Sequence, residues 1–334
     1  MQFFIKRKFL RLCLCSLLTG SVVSAQESQP VKDSSTATVR YGPKGFEFRT
    51  ADNKFLLQIQ SRLQFRFSTP QDQDPLTYDY FQEGKHTVFK INRARLKVGG
   101  HAFKPWINYY WEYELSQSNL LDFRIMFEKR QAFNFKFGQW KTEFTRERFI
   151  SSGEQQMVER SIINRPFTLD RQIGATIYGR LKSKRAKLAD FNYWAAVLTG
   201  NGRGATTNDD KNLMYHGRFQ WNVFGRELEF EGGDLEYHGK PTGIIALAAV
   251  TNKSPYTRFS QSGGGYLEGF ETGDSVLYKV DQLQLETAFM YQGFSWQEEY
   301  HHKYITDMST GKLTTLRGLY LQAGYFFNYL WDVI

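Results

Sequence analysis

Apolar and polar residues alternate with period two along most of this chain. Over residues 54–67 one face carries Phe55, Leu57, Ile59, Leu63, Phe65 and Phe67, broken only by Ser61. The other face carries Gln58, Gln60, Arg62, Gln64 and Arg66. Residues 105–116 set Ile107, Tyr109, Trp111, Tyr113 and Leu115 against Asn108, Tyr110, Glu112 and Glu114. Residues 121–129 set Leu121, Phe123, Ile125 and Phe127 against Asp122, Arg124, Met126 and Glu128, and 133–137 continue with Lys136 between aromatics. Successive side chains of a strand point to opposite faces, so each stretch predicts a strand with one apolar and one polar side. Further strands are expected near 89–98, 172–181, 191–199, 213–223, 243–250, 276–291, 294–304 and 319–327.

Most of these segments match or exceed the roughly nine to eleven residues that a tilted strand needs to cross a bilayer. They exceed the usual five or six of a soluble sheet. Lipid cannot satisfy an open strand edge, so such strands close into a cylinder with apolar residues outside and polar ones within. The expected fold is therefore all-β, a transmembrane antiparallel β-barrel. A soluble β-sandwich, as in a secreted binding protein, would also alternate, but with shorter strands and no need of aromatic ends.

Composition agrees with a barrel. Aromatics reach 16% (Phe 29, Tyr 19, Trp 7), too many for a disordered chain and suited to interfacial girdles. A mean hydropathy of −0.51 excludes a helical membrane protein.

The first 25 residues read separately. Lys6, Arg7, Lys8 and Arg11 precede a short apolar core, and Val23-Ser24-Ala25 fits a signal-peptidase site. Removing this signal takes four positive charges from +9, leaving +5, and also removes Cys13 and Cys15, the only cysteines. Disulfides then contribute nothing, and stability rests on the sheet. Residues 26–44, rich in Ser and Thr, read as a flexible periplasmic leader, and 45–334 as one domain.

The polar faces carry the candidate chemistry. Arg62 and Arg66 would point into the lumen. Residues 89–99 are less regular, because Phe89 and Ile91 share a face with Arg93, Arg95 and Lys97. Taking Ala94, Leu96 and Val98 as lipid-facing puts those three cations inside, with Arg124 and Lys136 on the polar faces of their own strands. A lumen lined in this way attracts anions, and arginine forks match phosphate oxygens. Glu112, Glu114, Asp122 and Glu128 face inward too, so cross-strand pairing is an alternative role for the same arginines.

Between 141 and 171 the alternation fails. Arg146, Arg148, Arg160, Arg165 and Arg171 interleave there with Phe144, Phe149 and Phe167. A connection this long usually has a function. Folded inward it would narrow the channel; projected outward it would be an ordinary extracellular loop.

No catalytic constellation, metal site or cofactor motif emerges. His301 and His302 would lie on opposite faces of a strand and cannot share one metal. They read as polar residues at a strand end. The glycine-rich stretch 200–211, with Asn208-Asp209-Asp210, reads as a solvated surface loop. An exported chain with cations spread over alternate strand positions argues against a nucleic-acid partner.

The run Phe135-Lys136-Phe137-Gly138-Gln139-Trp140-Lys141 resembles the Gly-Gln-aromatic-Lys segment of the phosphate-selective porin O and P family. Asn92-Arg93-Ala94-Arg95-Leu96, Glu159-Arg160-Ser161, Arg171-Gln172-Ile173-Gly174 and residues 318–326 resemble other segments of it, in the family's order. The resemblance implies a sixteen-stranded homotrimeric porin of the bacterial outer membrane, embedded in its lipids. It also implies an inward third loop containing Arg160 and passage of anions such as phosphate or polyphosphate. The chain departs from the pattern at Glu143, where the family has proline, and it has no dense run of lysines. Its end at Ile334 falls short of the family's last strands, so an incomplete C-terminus is expected. The expectation is thus a passive anion porin and not an enzyme, set against a non-conducting surface or adhesion barrel.

Overall fold

Long alternating segments become long paired strands. The computed structural model describes residues 37–69, 87–204, 208, 211–260, 264–273 and 276–327, and the expected signal segment lies outside them. Among the described residues fourteen strands form one antiparallel sheet in sequence order. They are β1 (Thr38–Gly42), β2 (Gly45–Arg49), β3 (Leu56–Ser68), β4 (Val88–His101), β5 (Ile107–Glu114), β6 (Asn119–Arg130), β7 (Phe133–Lys141), β8 (Arg171–Lys182), β9 (Asp190–Leu198), β10 (Met214–Asn222), β11 (Thr242–Ser254), β12 (Tyr278–Tyr291), β13 (Phe294–Asp307) and β14 (Leu313–Tyr325). Two one-turn helices, α1 (Arg146–Phe149) and α2 (Asn164–Phe167), interrupt the connection between β7 and β8.

The expected leader boundary is corrected. Val39 and Tyr41 alternate with polar neighbours, and Pro43-Lys44 turns the chain so that β1 pairs with β2 from Thr38↔Arg49 to Gly42↔Gly45. Ordered pairing thus begins before residue 45.

Burial is inverted relative to a soluble protein. On β12, Leu283 and Leu285 are each 47% exposed, whereas Gln284 and Glu286 are fully buried. Leu63, Phe65, Val197, Phe219, Leu247, Leu319 and Leu321 likewise face outward. An apolar exterior around a polar interior suits a bilayer rather than water.

The sheet curls back on itself. Gln156 bonds Gln322 of β14, and Glu159, three residues later, pairs with Arg66 of β3. Three residues span about 10 Å, whereas eleven flat interstrand steps would cover about 50 Å. Among the described residues β14 pairs only with β13, and β3 meets β2 only over 56–59.

Two bulges explain where the sequence pattern slips. Gln64 pairs with Arg93 but Phe65 with Ile91, leaving Asn92 unmatched. One extra residue exchanges the faces, so Phe89 and Ile91 point outward while Arg93, Arg95 and Lys97 point inward. A second shift, between Glu112 and Tyr113, skips Leu121. That leucine is buried and not on the outer face with Phe123.

Candidate functional site: a basic lumen wall and an inward loop

Residues 142–170 fold inward and attach to one side of the curled sheet. Phe144 and Leu169 join Trp140, Leu198, Met214, Val250, Val280 and Ile305 in a buried apolar cluster on the inner face. Polar groups of β10–β14 then meet the loop. Arg218 donates to Glu286 at 2.7 and 2.9 Å, and Arg146 stands 3.7 Å from the same carboxylate. Glu299 accepts from the Glu147 amide at 2.7 Å, Lys303 donates to the Pro166 carbonyl at 2.8 Å, and Gln282 donates to that of Phe167. Phe167 stacks on His301 and fits because Gly318 is bare: a Cβ there would stand 2.6 Å from its ring. The connection between β10 and β11 also reaches in, its Phe230 ring 4.3 Å from that of Phe149. This half of the interior is packed.

The opposite half, β3–β6, keeps open space. A cavity of about 270 Å³ is lined by Arg93, Arg95, Lys141, Arg148, Arg160, Arg171 and Arg203, with Glu114 and Asp170 as the facing carboxylates. Six lining arginines outnumber the four carboxylates that reach them, Glu114 and Asp170 on the lining and Glu112 and Asp122 behind it, so the field stays positive, and low-dielectric walls focus it. Several cations are only partly compensated. Arg160 spends its donors on the carbonyls of Glu147 and Ile150, at 3.1 and 2.9 Å. Arg93 donates to the Gln64 amide oxygen, and Arg62 to Ser152 Oγ at 3.1 Å. Others are paired: Arg95 with Glu112 (3.0 Å) and Glu114 (2.8 Å), Arg148 with Asp170 (2.6 Å), and Arg171 with Asp122 (3.2 Å).

Lys97, two residues beyond Arg95 on the same strand, lines a second cavity of about 660 Å³ nearer the β2–β3 and β4–β5 turns. Arg124 lies there over the Tyr110 ring, 4.6 Å from its centroid. Arg66, paired with Glu159, stands at the far end of β3.

One expected lumen cation, Lys136, and one expected constriction-loop cation, Arg146, are elsewhere. Lys136 is buried beneath the loop, 2.5 Å from Glu143, with Trp140 Nε1 donating to the same carboxylate at 3.2 Å. The residue standing where the resembled family has proline thus neutralises that lysine. Arg146 is 1% exposed and sits in the packed half, bonded to the Glu229 carbonyl. Inward folding of the loop withdrew both from open space. Arg165, on α2, lines neither cavity.

Other residues escaped the sequence reading. Lys141 was hidden by its place at a strand end. Arg203 was hidden by a glycine-rich stretch whose start is not solvated: Asn201 is buried, and the Gly202 and Gly204 amides donate to Gln172 and Gln139, whereas Asn208 and Lys211 are exposed as expected. Asp209 and Asp210 lie outside the described residues. His301 is mid-strand and buried, 3.1 Å from Glu299, rather than at a strand end, while His302 stacks on Tyr304. Among the described residues no cluster of His, Cys, Asp or Glu could hold a metal ion.

Two loop carboxylates differ in charge state. Burial, with Glu299 nearby, pushes Glu147 up to about 7, although Ser161 donates to both its oxygens. Burial also opposes ionisation of Asp170, but Arg148 and Arg171 outweigh it and hold that carboxyl below the usual range. Asp170 is therefore a fixed anion at the edge of the basic cavity. Forked guanidinium donors converging on a small cavity can hold or pass an oxyanion.

A family model described as phosphate-selective porin O and P matches residues 62–331. No curated protein matches the chain.

Proposed function

The chain belongs to the phosphate-selective porin O and P family, and from that membership we propose that small anions diffuse passively through its lumen along the arginine-bearing β3–β6 wall. That membership supports an outer-membrane β-barrel porin, a channel. The observation that carries the proposal is the 270 Å³ cavity, where six lining arginines outnumber the carboxylates that reach them.

In this reading an anion entering from the β3–β4 end passes Arg66 and Arg62. It is then drawn into the space between Arg93 and Arg160, where the loop narrows the way. Lys97 and Arg124 receive it on the far side. Phosphate is favoured over chloride because planar guanidinium forks match its oxygens. The outward leucines and phenylalanines support contact with membrane lipids, and we include assembly as a homotrimer because the family resemblance implies it.

The test is a planar-bilayer recording of the purified protein across a KCl gradient. The expected reversal potential has the sign of an anion channel, and added phosphate lowers the current. A cation-signed potential contradicts the proposal. Absence of conductance from a folded barrel would instead favour a non-conducting surface element.

A further inference from the structure

The 660 Å³ chamber beside Lys97 differs in chemistry from the basic cavity next to it. Tyr110 and Met126 give it apolar surface, and Gln60 and Asn108 give it side-chain amides. Lys44, Lys97 and Arg124 stand against Glu128 and Glu154, so its charge is nearly balanced. A bare inorganic anion passing Lys97 and Arg124 meets a weaker field there than in the basic cavity and leaves most of the space unfilled.

The Tyr110 ring has a defined seat. It pairs across the sheet with Gly99 on one side and Arg124 on the other. A Cβ on Gly99 would come within 3.3 Å of Tyr110 Cδ2, so the ring rests on bare backbone. The Arg124 guanidinium lies over the ring at 4.6 Å, and its Nε has no protein partner among the described residues. A stacked guanidinium keeps its N–H edge free for a ligand. Asn108 donates to Glu128 at 2.7 Å, which leaves its amide oxygen as an acceptor.

We propose that this chamber binds the carbon portion of a phosphorylated organic solute of sugar-phosphate size. The phosphate occupies the adjoining basic cavity, and the hydroxyl-bearing carbon skeleton lies against Tyr110, Met126 and Gln60. Arg95 and Lys97 occupy alternate positions of one strand, about 7 Å apart, so a single small molecule can span both spaces. A volume of about 660 Å³ lies in the range that small ligands occupy, and a lining more polar than apolar suits a hydroxyl-bearing solute rather than a greasy one. This assignment rests on the anion-porin reading and names its substrate class.

Block of the chloride current in planar bilayers tests it, with glucose 1-phosphate and inorganic phosphate as probes. Wild type is expected to be half-blocked by glucose 1-phosphate at about tenfold lower concentration than by phosphate, the scale of burying part of the carbon skeleton against Tyr110 and Met126. Tyr110→Ala should abolish that advantage and leave phosphate block unchanged; Met126→Thr, a milder change, should reduce it about threefold. Equal block by the two probes in an anion-selective wild type overturns this inference alone, as does a Tyr110→Ala channel in which both blocks weaken together. A cation-signed reversal potential overturns the anion reading, and this inference with it.

Discussion

The two halves of the lumen carry the same kinds of side chain and use them differently. On β10–β14 the polar groups are spent on the inward loop: Glu286 holds Arg218 and Arg146, Glu299 holds the start of α1, and Lys303 and Gln282 grip the end of α2. Beside β3–β6, arginines from β4, the loop, β8 and the β9–β10 connection outnumber the carboxylates that reach them and border open space. Inward charge is therefore not itself a sign of transport. What distinguishes the two sides is whether the charged groups are packed against the loop or border open space, and the loop decides that by choosing the wall it packs against.

The sharpest way to break this contrast is to remove the centre of the packed wall. Glu286→Leu leaves Arg218 and Arg146 buried without their carboxylate and should cost about 3–5 kcal/mol. Chemical unfolding monitored by the shift from folded to unfolded mobility would measure it, and a loss below about 1 kcal/mol would mean that the wall does not clamp the loop. Phe144→Ala opens a hole in the apolar anchor and should cost about 3 kcal/mol in the same assay.

A subtler effect comes from Glu147. Its folded value, about 7, lies above its ordinary 4.5, so the neutral carboxyl is the form that the folded loop favours. That contribution to stability is complete below about pH 4.5 and lost as pH rises through about 7. Wild type should lose thermal stability between about pH 5 and pH 8, and Glu147→Gln should flatten that slope. An unchanged slope in the variant would assign the titration to another group. The smallest effect is expected from Arg66→Gln. Its partner Glu159 is nearly half exposed, so stability should change by less than about 1 kcal/mol.

Much of the fold was legible because strand periodicity is local. The alternation over 54–67 put Arg62 and Arg66 on the inner face without any knowledge of neighbouring strands. The mixed face of 89–99 was also informative, since a break in parity is what a bulge at Asn92 produces. The reading failed where tertiary contacts decide. Nothing in the alternation around Lys136 says that Glu143 will fold back over it, or that Arg146 will sink against Glu286. Arg203 was missed because glycine-rich composition resembles a solvated loop, whereas here the glycine amides bond glutamines of the sheet. Val39 and Tyr41 were too short a run to show that pairing begins before residue 45. The second cavity depends on Tyr110 lying against Gly99, a cross-strand relation that requires the register.

The central claim is that the arginines around the basic cavity, on β4 and on the loop, set selectivity while the β10–β14 wall only holds the loop. Reversal potentials across one KCl gradient test it directly, comparing wild type with Arg93→Gln/Arg160→Gln and with Lys303→Gln, each verified as folded. The double variant should lose most of the anion-signed potential, while Lys303→Gln should match wild type. A potential unchanged in the double variant, or shifted equally by Lys303→Gln, would contradict the division of labour between the walls.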